Sequence, residues 1–294
     1  MHELTNTIVK NISAKRAGQS ESGTTPPSVN DFRTIFISDV HLGTKDCKAK
    51  QLNNFLKHYS CNELYLVGDI IDGWKMRSGI YWNKQFNRFV RRVLKLSKKG
   101  TPVFYITGNH DEFLRRFANN RFENIQLLNK KIHITQDAKR ILVIHGDQFD
   151  GVTRCSRWLK FIGDHGYEFL MMLNRLYNRI RANYGFGYWS LASFLKHNIK
   201  RAKQYIHDYE DAVTLAVKKQ NFDGVICGHI HHAAIKDSEG FQYLNTGDWV
   251  ESCTAIVEEH SGEFRLIHWL TDPNNTAVEP HKAAKIKAPS PALA

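Results

Sequence analysis

Five short polar clusters, each directly after an apolar run, carry the side chains most able to do chemistry in this sequence. They contain Asp, His and Asn, which bind metal ions, and glycines, which let the backbone turn tightly. In chain order the clusters are Asp39-Val40-His41, Gly68-Asp69-Ile70-Ile71-Asp72, Gly108-Asn109-His110-Asp111, His145-Gly146-Asp147 and Gly228-His229-Ile230-His231. Polar residues at strand ends gather in the crevice beyond the carboxyl edge of an open α/β sheet, so we expect one shared site.

Each cluster has an ordinary structural explanation when it is taken alone. An Asp-x-His or a Gly-Asp pair after a strand is usually a turn, and His145 alone is equally explained as a hydrogen-bonded core histidine. Gly-His-x-His is more specific, yet it too occurs without a metal. The five together, in this order and all after predicted strands, favour a metal centre over those explanations.

As an ordered set, the clusters resemble the motifs of the calcineurin-like metallophosphoesterase superfamily, over roughly Phe36 to Val257. The resemblance implies an α/β fold, a four-layer αββα sandwich with a helical lid insertion, and a site with two divalent metal ions. Carried over residue by residue, it implies one ion held by Asp39, His41, Asp69 and His231. It implies a second ion held by Asp69, Asn109, His145 and His229, with Asp69 bridging both.

The chemistry of these side chains suits two cations. A carboxylate has two oxygens and a negative charge that offsets the repulsion between the ions, and neutral imidazoles with an amide complete each shell. Two cations about 3.5–4 Å apart share a hydroxide, polarise phosphoryl oxygens and stabilise the charge of the transition state. A nitrogen and oxygen ligand set without thiolate favours Mn²⁺, with Fe and Zn²⁺ as alternatives.

The same resemblance gives roles to four further side chains. His110 would lie over the phosphate, neutralising it or protonating the leaving oxygen, and Asp111 would orient its imidazole. A compatible role for Asp111 is to cap a helix predicted over Glu112–Phe117. Asp72 and Asp147 would orient ligand histidines, although Asp72 is as readily explained as a turn residue.

Strands must deliver these clusters, and the sequence predicts one upstream of each. Runs rich in Ile, Val, Phe and Tyr cover Thr34–Ser38, Glu63–Val67, Val103–Thr107, Ile141–Ile144 and Gly224–Cys227. Apolar spacing of i, i+3, i+4 and i+7 predicts helices over Ala49–Tyr59 and Asn83–Lys98, the second capped by Gly100. Consecutive antiparallel strands are expected at Phe241–Leu244, Thr254–Val257 and Phe264–His268.

These patterns divide the chain into a metallophosphoesterase domain of residues 31–271 and two flexible tails. The tails are residues 1–30, rich in Ser, Thr and Gly with a Pro26-Pro27 pair, and residues 272–294. A mostly helical insertion over about residues 152–220 interrupts the domain, with helical patterns at Trp158–Ile180 and Trp189–Lys218.

The insertion concentrates the positive charge of the chain. The whole chain has 41 Lys and Arg against 29 Asp and Glu, a net charge of +12, and residues 152–207 hold ten basic and two acidic residues. Amphipathic helices with solvated basic backs would explain the apolar spacing, but they explain this excess less well. The charge therefore favours an anionic partner.

The place of the insertion, together with Trp74, resembles one branch of the superfamily, the UDP-2,3-diacylglucosamine pyrophosphohydrolases of lipid A synthesis. The resemblance implies a helical lid over acyl chains, release of UMP and 2,3-diacylglucosamine 1-phosphate, and contact with an anionic membrane. The candidate substrate-binding residues are Trp74, Arg154, Arg157, Arg175, Arg179, Lys200, Arg201 and Lys203. The chain departs from this branch at His110, where its members usually have Arg. This departure leaves another phospholipid, a nucleotide or a phosphoprotein as alternative substrates.

The composition of the chain limits the cell compartments and the kinds of partner that we expect for this protein. Five scattered cysteines without a CxxC pair are typical of a reducing compartment. No apolar run approaches the ~20 residues of a membrane span, and the first 30 residues lack the apolar core of a secretory signal. We therefore expect a cytoplasmic protein that contacts the inner face of the cytoplasmic membrane peripherally. The chain has no separate basic-aromatic module for nucleic acid, and its complete ligand set argues against an inactive scaffold.

Overall fold

The computed structural model describes residues 30–150 and 200–275. In these residues two β-sheets lie against each other. The larger sheet has the strand order β12-β11-β1-β2-β3-β5-β4. Its strands are β1 (Asp31–Ile37), β2 (Ser60–Val67), β3 (Val103–Ile106), β4 (Arg121–Phe122), β5 (Ile125–Leu128), β11 (Thr254–Glu258) and β12 (Phe264–His268). The smaller sheet has the order β6-β7-β8-β10-β9. It consists of β6 (Lys131–Ile134), β7 (Arg140–Val143), β8 (Gly224–Cys227), β9 (Ala234–Ser238) and β10 (Phe241–Asn245).

The central strands run parallel, so their carboxyl ends meet at one edge. In the larger sheet β1, β2, β3 and β5 are parallel, and in the smaller sheet β7, β8 and β10 are parallel. Their sequences are near-continuous apolar runs, as expected of strands that are covered on both faces. The five strands predicted upstream of the polar clusters are confirmed, and each ends one or two residues before its cluster begins.

Helices cover the outer face of each sheet and give the fold four layers. The helices are α1 (Ala49–His58), α2 (Gly73–Ser78), α3 (Lys84–Lys98) and α4 (Lys200–Lys218). Leu52 and Phe55 of α1 and Phe89 of α3 pack on the larger sheet. Val213 and Val217 of α4 pack on the smaller sheet. A third apolar core, which includes Phe36, Ile106, Val143 and Ile226, lies between the sheets. The α/β sandwich predicted from the sequence is confirmed.

Part of the predicted insertion belongs to this core. Residues 200–218 form α4, whose Tyr209 and Val213 are fully buried, so this stretch is the outer layer of the smaller sheet. Residues 151–199, with both the Trp158–Ile180 pattern and the start of the second, lie outside the described residues.

The other boundaries of the domain are only partly covered. The predicted tails from residue 1 to 29 and from residue 276 onward also lie outside the described residues. Asp272 accepts a hydrogen bond from Tyr59, so the chain still contacts the domain where the second tail was predicted to begin. Cys47, Cys61, Cys227 and Cys253 are free thiols. None of the helices among the described residues has an apolar stretch long enough to cross a bilayer.

A buried carboxylate joins the two sheets away from the polar clusters. Glu258 of β11 is fully buried and accepts hydrogen bonds from Arg33 and Thr34 of β1 and from His133 of β6. The backbone N–H of Gln136 donates to its second oxygen at 2.9 Å. Burial raises the pKa of Glu258, but the hydrogen bonds and charges of His133, Gln136 and Arg33 outweigh it and hold this pKa below its ordinary value.

We expect Glu258→Gln to lower the free energy of unfolding by about 3 kcal/mol at neutral pH, because Arg33 then loses its buried counter-charge. A lowered folded-state pKa gives stability that is present above the unfolded value and is lost as the pH falls through the folded value. Urea unfolding from pH 7 down to pH 3 should therefore show a loss below pH 4.5 that is smaller in the variant. Parallel curves for the two proteins would contradict this role for Glu258.

Candidate metal centre

The five polar clusters meet beyond the carboxyl ends of strands from both sheets. β1, β2 and β3 deliver Asp39, His41, Asp69 and Asn109 from the larger sheet, and β7 and β8 deliver His145, His229 and His231 from the smaller sheet. Backbone hydrogen bonds tie the loops together, since Asp39 N donates to Gly68 O and His41 N donates to Asp69 O. The site therefore lies where the two sheets adjoin.

One half of the site is formed by Asp39, His41 and His231. Nε2 of His41 lies 3.4 Å from Nε2 of His231, and Oδ1 of Asp39 lies 3.1 Å from that same His231 nitrogen. Oδ1 of Asp39 is 3.9 Å from Nε2 of His41. Three ligand atoms thus face a common point, as the sequence predicts for the first metal ion.

The other half is formed by Asp69, Asn109, His145 and His229. Nε2 of His145 lies 3.3 Å from Oδ2 of Asp69 and 3.2 Å from Oδ1 of Asn109. Ligand atoms of Asp69, His145 and His229 all lie within 4.8 Å of one another. Asp69 also groups with His41, so it lies between the two halves, where a bridging carboxylate is needed.

The charge balance of the site fits cations. Burial raises the pKa of Asp39, but the adjacent His231 lowers it to about 2. Burial also raises the pKa of Asp69, yet the charge and hydrogen bond of His145 bring it below its ordinary value. Burial lowers the pKa of His145, but Asp69 and Asp39 raise it to about 10. The buried carboxylates Asp69 and Asp39 therefore stabilise the charged form of His145, and a divalent cation would take the place of its proton.

The backbone is strained at the ligands. Asp39, His41, Asp69, His229 and His231 all have φ between 49° and 71°, the left-handed region. This conformation costs a non-glycine residue roughly 1–2 kcal/mol. Such strain accumulates where a function fixes the direction of side chains, and here it lies on five of the seven predicted ligands.

Three glycines of the clusters are needed because a candidate ligand from another cluster lies against them, and a Cβ at Gly68 would overlap the ring of His145. A Cβ at Gly108 would overlap the carboxylate of Asp69, and a Cβ at Gly228 would overlap that of Asp39. The Gly-Asn and Gly-His pairs in the sequence therefore have glycine because side chains pack closely inside the site, and because the backbone turns tightly there.

Asp72 joins two histidines and caps a helix. Its Oδ1 accepts a hydrogen bond from Lys75 N at the start of α2. Its Oδ2 lies 3.1 Å from Nδ1 of His41 and 3.1 Å from Nδ1 of His110. Burial raises the pKa of Asp72, but the hydrogen bonds from His110 and His41 outweigh burial and hold this pKa below its ordinary value. The sequence left two roles open for Asp72, a turn residue and the partner of a ligand histidine. Asp72 has both.

Asp111 is not the residue that orients His110, contrary to the prediction. It is fully buried and accepts hydrogen bonds from Tyr105 Oη and from the backbone N–H groups of Gly108 and Ile70. Burial and then the charge of Asp69 raise its pKa. Asp111 therefore fixes the loops that follow β2 and β3, and Asp72 takes the predicted place beside the His110 ring. The predicted cap is also wrong, since the 3-10 turn at Glu112–Phe117 receives no side-chain cap from Asp111.

Asp147 does not hold a ligand histidine, again contrary to the prediction. Its carboxylate accepts a hydrogen bond from Arg115 at 2.6 Å, while Nδ1 of His145 faces the carbonyl of Val67 at 3.0 Å. The residue that does hold a histidine is Asp150, whose Oδ1 lies 2.6 Å from Nε2 of His229. The sequence contains a signal for it, because Asp147-x-x-Asp150 repeats the spacing of Asp69-x-x-Asp72.

A hydroxyl pair behind Asp39 was also missed. Ser38 donates to Oδ2 of Asp39, and Thr246, after β10, donates to Ser38 Oγ at 2.5 Å. Both side chains are buried, so this chain of hydrogen bonds fixes the carboxylate from the side away from His231. Single hydroxyl residues carry no distinctive spacing, and nothing in the sequence connects positions 38 and 246.

We expect Asp150→Asn to weaken Mn²⁺ binding 10- to 100-fold, because losing the carboxylate behind a ligand histidine typically has an effect of that size. Isothermal titration with Mn²⁺ measures it directly. Asp211→Asn is the matched control, since Asp211 pairs with His207 on the exposed face of α4. Equal affinities in the Asp150 variant and the wild type would show that the contact with His229 has no bearing on metal binding.

Only some of the predicted substrate residues can be placed. Trp74 is 37% exposed, and its ring lies 4.3 Å from the ring of His110, which puts an aromatic surface beside the centre. Lys203 is exposed on α4, where Lys200 and Arg201 form the first turn. The remaining candidates, Arg154, Arg157, Arg175 and Arg179, lie outside the described residues.

Comparison with known proteins gives three curated relatives with one name. UDP-2,3-diacylglucosamine hydrolase of Aliivibrio fischeri (strain MJ11) is 27% identical over 253 residues, which cover 79% of this chain and 99% of the relative. The enzymes of that name from Neisseria gonorrhoeae and Haemophilus influenzae are each 28% identical, and cover 76% and 80% of this chain and 92% and 98% of their own. A solved archaeal phosphodiesterase is similar at 11% identity, with a TM-score of 0.39 over 80% of this chain and 98% of that one.

The family model described as calcineurin-like phosphoesterase matches residues 32–233. That span is more than half of the chain and contains all seven predicted metal ligands. The chain therefore belongs to the calcineurin-like phosphoesterase family and is a metallophosphoesterase, a hydrolase whose site carries the side chains for divalent metal ions.

Proposed function

We propose that this protein hydrolyses the pyrophosphate bond of UDP-2,3-diacylglucosamine, releasing UMP and 2,3-diacylglucosamine 1-phosphate. The observation that carries the proposal is the combination of a complete ligand set with relatives of that name matched over 92–99% of their length. The aromatic surface of Trp74 beside the centre suits a substrate with an apolar part.

The described residues divide the work of the reaction. Divalent metal ions, for which we propose Mn²⁺, would polarise the phosphoryl group and activate water when bound. Asp39, His41 and His231 would hold one ion, Asn109, His145 and His229 the other, and Asp69 both. Because Nδ1 of His110 faces Asp72 and its ring packs on Trp74, its Nε2 is the atom directed to the leaving oxygen, where it can supply a proton.

We also propose that the protein works in the cytoplasm at the inner face of an anionic membrane. Between α2 and α3 the side chains of Ile80, Tyr81 and Trp82 are exposed, with Arg77 and Lys84 on either side in the sequence. Exposed aromatic and basic side chains together suit the headgroup region of a bilayer. Ile80→Ser with Trp82→Ser should reduce flotation with phosphatidylglycerol vesicles, and unchanged flotation would count against this contact.

The function is tested with the full-length protein, Mn²⁺ and UDP-2,3-diacylglucosamine in mixed micelles. We expect the protein to release UMP, which chromatography measures. An Asp69→Asn preparation made in parallel should release none, and any UMP that it does release would come from contaminating hydrolases. A protein that cleaves a simple aryl phosphate but leaves the lipid intact would contradict the proposed lipid substrate. It would not contradict the assignment as a phosphoesterase.

One observation favours a second candidate, a phosphatase or phosphodiesterase for another phospholipid, nucleotide or phosphoprotein. His110 stands where enzymes of the lipid A branch usually have Arg, and it lies over the site beside Asp69. An imidazole can release a proton to a leaving group, whereas a guanidinium stays charged. Faster turnover of a different phosphoester than of UDP-2,3-diacylglucosamine by the same preparation would support this candidate.

A further inference from the structure

A cavity of about 410 Å³ opens beside one half of the metal centre. Thr107, two residues before Asn109, and Ile144, directly before His145, both line it. The cavity therefore lies at the carboxyl ends of β3 and β7, next to the second group of ligands. A volume of this size is ordinary for a small-molecule site.

The lining of the cavity combines polar and charged side chains, including the carboxylate of Asp147, with the apolar side chain of Ile144. Arg115 and Lys130 supply two cations, Asn129 and Gln148 supply two amides, and Thr107 supplies a hydroxyl. An acyl chain placed here would leave these groups without hydrogen-bond partners, which is unfavourable. Asp147 offsets the charge of Arg115, so Lys130 is the cation in excess, and the lining suits a polar part of a substrate that carries one negative group.

Some of these side chains are fixed by hydrogen bonds within the protein, and others are available to bind a ligand. Thr107 Oγ1 donates to Oδ1 of Asn129 at 2.8 Å, which fixes the amide and leaves its NH₂ group to donate. Arg115 is paired with Asp147. Within residues 30–150 and 200–275, Lys130 has no ion pair and the Gln148 side chain has no hydrogen bond. Among the residues that the structure describes, the cavity thus offers two amides and one cation, Lys130, that has no ion pair.

The other half of the centre has a different character. His41 lies with its ring 4.7 Å from that of His110, and His110 in turn packs on the exposed ring of Trp74. Aromatic surface therefore adjoins the His41 half, while amides and cations adjoin the Asn109 and His145 half. A substrate with one polar and one apolar end has a different surface available for each.

We propose that this cavity binds the nucleotide end of the substrate, with the uracil and ribose among Asn129, Gln148 and Thr107 and the adjacent phosphate near Lys130. This assignment rests on the proposed function. Uracil presents two carbonyl acceptors and one N–H donor, which amide side chains match with their NH₂ and carbonyl groups. The lipid end then lies on the Trp74 side, so the cavity fixes the direction of the substrate across the metal centre.

Equilibrium dialysis of the full-length, Mn²⁺-loaded protein with UMP and with inorganic phosphate tests the assignment. We expect UMP to bind at least tenfold more tightly than phosphate. Gln148→Ala, on the uracil side, should lower that ratio of affinities by about fivefold, the effect of one hydrogen bond, and Lys130→Ala should weaken UMP binding itself by about tenfold, the effect of one charge-assisted hydrogen bond. Lys98→Ala, on the exposed end of α3, is the matched control and should keep the wild-type ratio.

Equal affinity for UMP and phosphate in the wild type, a ratio unchanged by Gln148→Ala, or a UMP affinity unchanged by Lys130→Ala would overturn the assignment. Circular dichroism and Mn²⁺ content of each variant show whether a changed ratio comes from misfolding or metal loss. The proposed function fails separately, through intact UDP-2,3-diacylglucosamine in the micelle assay. A protein that binds UMP through Lys130 but leaves the lipid intact would keep the nucleotide site and exclude only the lipid.

Discussion

Asp69→Asn is expected to lower turnover of any phosphoester by at least ~100-fold. Asp69 lies between the two halves of the site, with ligand atoms of His41 on one side and of His145 and His229 on the other. An amide has one ligand oxygen and no charge, so it cannot offset the repulsion between two cations as a carboxylate does. Residues that only orient a ligand typically affect metal affinity or activity 10- to 100-fold, and a bridging ligand should exceed that.

The measurement is kcat for the wild type and the variant at saturating Mn²⁺. Asp137→Asn, in an exposed turn, is the control and should keep wild-type turnover. Circular dichroism shows whether each variant is folded. A folded Asp69→Asn protein with near-normal kcat would contradict the place of Asp69 between the ions.

His110→Ala is expected to lower turnover about 10²- to 10⁴-fold on substrates with a poor leaving group, the usual contribution of a positioned acid or base. Nε2 of His110 lies 3.9 Å from Oδ2 of Asp69, at the mouth of the site, and Asp72 fixes the other nitrogen. An activated aryl oxygen such as 4-nitrophenolate leaves without help from a proton, so aryl phosphates should lose much less turnover than alkyl phosphates.

The decisive comparison is therefore between leaving groups within one variant. His260→Ala serves as the control, because His260 pairs with Asp31 away from the metal ligands. An equal loss on alkyl and aryl leaving groups would mean that His110 acts by holding the phosphate and not by supplying a proton.

The convergence of the candidate metal ligands at one place was predictable because each of them lies within four residues of a strand with a clear apolar pattern. Parallel strands bring their carboxyl ends to one edge, so position along the chain almost determines position in space. The strands before Asp39, Asp69, Asn109, His145 and His229 are all buried, and burial makes their sequences easy to recognise.

The carboxylates that contact the candidate ligand histidines were harder to predict, because their partners depend on side-chain direction. Asp111 follows His110 in the chain, yet its buried oxygens bind Tyr105 and two backbone N–H groups. Asp72 is distant in sequence from His110 but lies beside it in space. Asp150 reaches His229 across 79 positions. Sequence spacing gives no information on such contacts unless a local pattern repeats, as Asp-x-x-Asp does here.

Short edge elements were missed for a different reason. β9 (Ala234–Ser238) has the sequence Ala-Ile-Lys-Asp-Ser and is mostly exposed, so it lacks the apolar run that marks a buried strand. β4 (Arg121–Phe122) has only two residues. The helix α2 (Gly73–Ser78) has no buried residue, and the cap from Asp72 marks its start.

Counting bound metal tests the central claim most directly. Full-length protein is dialysed against Mn²⁺, freed of excess metal and analysed for manganese per chain, together with His41→Ala and Asn109→Ala. The two-ion site predicts about two manganese ions per wild-type chain and about one in each variant, because each substitution removes a ligand of a different ion. A wild-type chain that holds no manganese, or variants that keep the wild-type content, would contradict it.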